Sequence, residues 1–122
     1  LATPMSLRSG GRVVAIERAA LAAAHPDASP SLALFVHGLA CNETLWSRDS
    51  LRHYGVAGVS YGSRLRQDLG WTPVYLRYNS GLAIAENGRA LAELLDRLLA
   101  AWPGGVERLA LIGHSMGGLV IR

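Results

Sequence analysis

The sequence predicts an α/β chain built on a doubly wound, mostly parallel sheet. Three observations carry the prediction. Leu32-Ala33-Leu34-Phe35-Val36 and Leu109-Ala110-Leu111-Ile112 are unbroken apolar runs, as expected of strands covered on both faces. Between them, Ile84, Leu91, Leu95, Leu98 and Trp102 recur at helical spacing from Ala83 to Trp102. The second run then breaks at Gly113-His114-Ser115-Met116-Gly117 into a sharp turn that opens a helix.

Each element has a local reason. Residues 1 to 11 are polar, end in Gly10-Gly11 and read as a lead-in loop, after which Arg12 to Ile16 forms a short strand. Arg18 to Ala24 is rich in alanine and reads as a helix, stopped by Pro26 and Pro30. Ser31 to Val36 is the first buried strand. Asn42 to His53 reads as a loop and short helix with Glu43 facing solvent, and Tyr61 to Leu69 as a helix that Gly70 ends. Pro73 to Tyr78 is the next strand, and Asn79 or Ser80 then caps the following helix. Gly88 interrupts that helix at a core-facing position, which suggests a close approach to the sheet. Pro103-Gly104-Gly105 ends it.

Composition narrows the function classes. The chain has 122 residues, is half apolar and carries a formal charge of +3 from twelve arginines and no lysine, spread without a run. Nucleic-acid binding calls for basic clusters, which are absent. No apolar stretch reaches the eighteen or so residues of a membrane span, because Arg108, Gly113 and His114 interrupt the best one. The single Cys41 allows no internal disulfide, and no Cys or His spacing suggests zinc. The reading therefore carries no metal and no cofactor.

The chemistry concentrates at Ser115. A serine at the tip of such a turn is held in a strained backbone conformation that lifts its hydroxyl above the sheet edge. Gly113 and Gly117 are needed on either side because strand and helix approach too closely for side chains. The Met116 amide, at the start of the helix, points to where a carbonyl oxygen becomes an oxyanion. His37-Gly38-Leu39, leaving the upstream strand, supplies the second amide at Leu39, with Gly38 letting the backbone bend and His37 fixing the loop by hydrogen bonding. His114 adjoins the nucleophile but projects differently and takes a structural role. Cys41 and Trp46 are candidates for the pocket lining; Cys41 lacks the geometry of a nucleophile.

These residues resemble the α/β-hydrolase superfamily, and more narrowly bacterial lipases and esterases related to the GPI inositol-deacylase group. The likeness runs from about Leu32 to Arg122 through Leu34-Phe35-Val36-His37-Gly38-Leu39, Tyr75-Leu76-Arg77-Tyr78-Asn79-Ser80-Gly81-Leu82, Glu86-Asn87-Gly88-Arg89-Ala90-Leu91 and Gly113-His114-Ser115-Met116-Gly117-Gly118. It implies hydrolysis of a small-molecule ester or lipid through an acyl-enzyme, with a carboxylate and then a histidine following the serine along the chain. No histidine or aspartate follows Ser115. Residues 1–122 are thus expected to be the N-terminal segment of one hydrolase domain, with the remaining strands, the acid and the histidine beyond residue 122. An acyltransferase on the same fold and a non-catalytic binding module are the alternatives.

Overall fold

The computed structural model describes residues 4–47 and 60–122. Its strands are β1 (Ser6–Ser9), β2 (Arg12–Val14), β3 (Ser31–Val36), β4 (Thr72–Arg77) and β5 (Arg108–Gly113). Its helices are α1 (Arg18–Ala24), α2 (Tyr61–Leu69), α3 (Ile84–Ala101) and α4 (Met116–Ile121), with a 3-10 turn at Glu43–Ser47. The strands form one sheet in the order β2-β1-β4-β3-β5. Pairing of β3 with β4 and with β5 is parallel, whereas β1 pairs antiparallel with both β2 and β4. The sheet is therefore mixed rather than mostly parallel.

The departure begins at the N-terminus. What reads as a polar lead-in is a hairpin: Ser9 pairs with Arg12, leaving Gly10-Gly11 as a two-residue turn with φ of +58° and +78°. Two consecutive positive φ values are what such a turn demands, and glycine adopts them without a Cβ penalty. Leu7 then reaches the core, almost fully buried beside Leu76.

Side-chain alternation sorts the core into two layers. Leu32, Leu34 and Val36 of β3, Val74 and Leu76 of β4 and Leu111 of β5 point to one face, where Leu21 of α1, Leu91, Leu94 and Leu98 of α3 and Val120 of α4 cover them. Ala33, Phe35, Tyr75 and Ile112 point to the other, beneath Trp46 and Leu65. Helices on both faces explain why β3 is buried at every position. The α3 stripe is rotated from its sequence expectation. Leu94 is buried in place of Ile84, which is 42% exposed, while Leu95 is only partly buried. Gly70 ends α2 in the left-handed conformation. The expected loop continues through His53 into a stretch, 48–59, outside the described residues.

Gly88 faces α4 and not the sheet. A Cβ built on it would lie 3.5 Å from the Val120 carbonyl oxygen, an ordinary contact. Close packing therefore does not require glycine here. Gly88→Ala should raise stability by about 0.5–1 kcal/mol through lower unfolded-state entropy and better helix propensity. Chemical denaturation of the two proteins measures it, and a loss of stability would mean that α3 and α4 pack more tightly than this spacing.

Candidate active site

The parallel register carries β5 one residue past its end: the His114 N–H donates to the Val36 carbonyl at 3.0 Å. The chain must then reverse into α4 directly over the end of β3. A Cβ on Gly117 would collide with the carbonyls of Val36 and His37, and one on Gly113 would lie 2.5 Å from the Gly118 nitrogen. Both glycines are thus sterically required. The strain of the reversal falls on Ser115, with φ +54° and ψ −118°. That conformation costs a residue with a Cβ about 1–3 kcal/mol.

Ser115 is exposed, and its hydroxyl has no hydrogen-bond partner among the described residues. The loop leaving β3 comes up against it. A Cβ built on Gly38 would lie 3.1 Å from the His114 carbonyl oxygen and 3.4 Å from the Ser115 Cβ, so glycine permits this approach. Among the described residues neither the Leu39 nor the Met116 N–H has an acceptor. Gly38, His114 and Ser115 are therefore brought together, with two unengaged amides on the flanking residues.

His37 is fully buried. The Tyr78 N–H donates to its Nε2 at 3.2 Å, which leaves the proton on Nδ1, 3.0 Å from the Gly38 carbonyl. Its ring stacks on Tyr78 at 4.3 Å, and the Tyr78 hydroxyl donates to the His37 carbonyl at 2.6 Å. Burial lowers the imidazole pKa, and the bond to Gly38 and the Glu43 charge only partly oppose it. With both nitrogens engaged and the ring held neutral, His37 is an anchor of the loop. His25 is buried at the end of α1 against Trp102, its pKa lowered mainly by desolvation. His114 is exposed beside the serine without a hydrogen bond to it, and His53 lies outside the described residues.

Glu43 does not face solvent. Its side chain is 8% exposed and takes a bidentate bond from Arg77, Nη2 to Oε1 at 2.6 Å and Nε to Oε2 at 2.7 Å. Burial alone would raise its pKa, but the Arg77 bonds, its own backbone N–H and the charges of Arg77 and Arg8 hold it below the ordinary value. The pair spans 34 positions, a separation that no local pattern signals. Neither Asn79 nor Ser80 caps α3, whose N-cap is Ala83, without a side-chain hydrogen bond. Asn79 Oδ1 instead accepts from Gly81 N–H, and Ser80 Oγ accepts from Ala40 N–H at 2.9 Å.

Trp46 is buried edge-on to Phe35, with ring centroids 4.9 Å apart, and stands perpendicular to His114 at 6.4 Å. With Phe35, Tyr61, Leu65, Leu69 and Ile112 it lines an apolar cavity of about 490 Å³. Cys41 is a half-buried free thiol near Tyr78 and does not line this cavity. Among the described residues no group of three or more His, Cys, Asp or Glu side chains could hold a metal ion, and no helix is long and apolar enough to cross a membrane. Comparison with protein-family models, curated proteins and solved structures found no match.

Two outcomes follow from this geometry. Ser115→Gly should be more stable than Ser115→Ala by about 1 kcal/mol, because only glycine relaxes the positive φ; equal denaturation midpoints would remove the strain. Arg77→Ala should lose about 2 kcal/mol, less than the ~3–5 of a fully buried pair because Arg77 is 28% exposed. A carboxyl depressed in the folded state stabilises fully above its unfolded pKa and loses that contribution as pH falls through the folded one. The difference between wild type and Arg77→Ala should accordingly shrink on acidification, as pH-dependent denaturation would register.

Proposed function

We propose that this chain carries the nucleophile and oxyanion-binding parts of a serine hydrolase of the α/β-hydrolase type, acting on carboxylic esters. The observation that carries the reading is the strained conformation of Ser115 between two sterically required glycines. Strain at an exposed nucleophilic side chain persists only where surrounding structure enforces it, and it clusters at reactive sites. The parallel strands beneath, with helices on both faces, fit the same reading.

In the proposed reaction Ser115 Oγ attacks the ester carbonyl carbon while a base takes its proton, and the carbonyl π electrons move onto oxygen. The Leu39 and Met116 N–H groups donate to that oxyanion. Collapse expels the alcohol, which leaves with the proton, and water then cleaves the acyl-serine by the same steps in reverse. His25 and His37 are engaged elsewhere, and His114 makes no hydrogen bond to Ser115. The base and its orienting carboxylate are assigned to groups outside the described residues. Trp46, whose ring lies 6.4 Å from that of His114, also lines the apolar cavity, which supports substrates with an apolar acyl group.

In the full-length protein, Ser115→Ala should abolish hydrolysis of nitrophenyl esters and labelling by a fluorophosphonate. The expected loss is at least ~10³-fold in kcat. Retained turnover or labelling would place the nucleophile elsewhere.

A further inference from the structure

The loop from His37 to Asn42 is fastened almost entirely from one side. Its first residue is clamped by Tyr78 through two hydrogen bonds. Immediately after it, Glu43 is clamped by Arg77. Between these anchors Ala40 has φ +56°, the one non-glycine residue besides Ser115 with positive φ among the described residues. An alanine there is strained, and the conformation persists only where the surrounding structure enforces it. The Cys41 N–H closes the turn onto the Gly38 carbonyl at 3.3 Å, and Ser80 Oγ, accepting the Ala40 N–H at 2.9 Å, is the side chain that fastens it from outside the loop.

Ser80 is itself held. Asn79 Oδ1 accepts from the Gly81 N–H at 2.9 Å, the Leu82 N–H returns to the Asn79 carbonyl at 3.2 Å, and the buried Asn87 of α3 donates to that same carbonyl at 3.0 Å. A hydrogen-bonded turn ahead of α3, tied to it through Asn87, thus carries the hydroxyl that meets the loop. The peptide N-terminal to the Ala40 N–H is that of Leu39, whose own N–H is the unengaged donor. Fixing one amide constrains the orientation of the next, since only two soft dihedrals lie between them.

We propose that Ser80 is a positioning residue for ester cleavage, fixing the strained Ala40 so that the Leu39 N–H is presented beside Ser115. The assignment rests on the esterase reading above. It gives the segment after β4 a part in catalysis without contact with substrate. A donor displaced by about 1 Å is enough to lower turnover about a hundredfold.

The test compares wild type, Ser80→Ala and Ser80→Thr in the full-length protein. Four quantities are measured: kcat and KM on a nitrophenyl ester, thermal midpoint, and amide hydrogen exchange at Ala40. Ser80→Ala should lower kcat about 10- to 100-fold with KM and the thermal midpoint nearly unchanged, and Ala40 should exchange about tenfold faster. Ser80→Thr, which keeps the hydroxyl, should restore both. Unchanged kcat in Ser80→Ala, or a loss that threonine does not rescue, overturns the proposal. So does a loss that appears only as raised KM and lowered midpoint. A wild type that hydrolyses no ester overturns the esterase reading instead, and the exchange measurement then decides separately whether Ser80 holds the loop.

Discussion

The approach of the α4 backbone to the carbonyl ends of β3 is the contact on which the site depends. Room for it exists only because Gly117 has no side chain to meet Val36 and His37, and because Gly113 has none to meet Gly118. With the helix seated so closely, the intervening residues have too little length to turn in a relaxed conformation. Ser115 takes up the difference with a positive φ, and its hydroxyl is left on the exposed side. A cost of about 1–3 kcal/mol is sustained because the strand before the bend and the helix after it are both committed to the core. Leu111 and Val120 belong to the same apolar layer as the fully buried Leu34 and Leu98.

Opposite the bend, a loop of irregular backbone must be held as firmly with far less burial. Polar fastening does this from the end of β4. His37 is kept neutral and bonded at both nitrogens, so that a buried imidazole carries no uncompensated charge. Glu43 and Arg77 are kept charged, and the two parallel bonds between them offset the desolvation of the carboxylate. The two solutions sit on adjacent residues of β4 and its exit, Arg77 and Tyr78. One short segment therefore reaches both ends of the loop, and Ser80 reaches its middle.

Much of this was legible in the residues. Apolar runs marked β3 and β5, helical spacing marked α3, and the glycine placement around Ser115 marked the bend, because these are local demands that the chain states within a few positions. The Gly10-Gly11 hairpin was also written locally, yet polar flanking residues disguised it. Its first strand, β1, is apolar only at Leu7.

Strand β1 apart, sequence alone determined which backbone segments are strands and helices, and where a side chain could not be tolerated, since propensity, periodicity and steric exclusion act between near neighbours. Tertiary structure decided that the sheet is mixed, that α3 turns Leu94 inward in place of Ile84, and that Glu43 is buried. It also decided that Ser80 serves the loop at Ala40 and not the helix that follows it. These outcomes join residues 34 to 41 positions apart or depend on how one layer settles on another. No periodicity encodes such partners, because a side chain able to bond locally or at long range is directed only by the packing that fixes its surroundings.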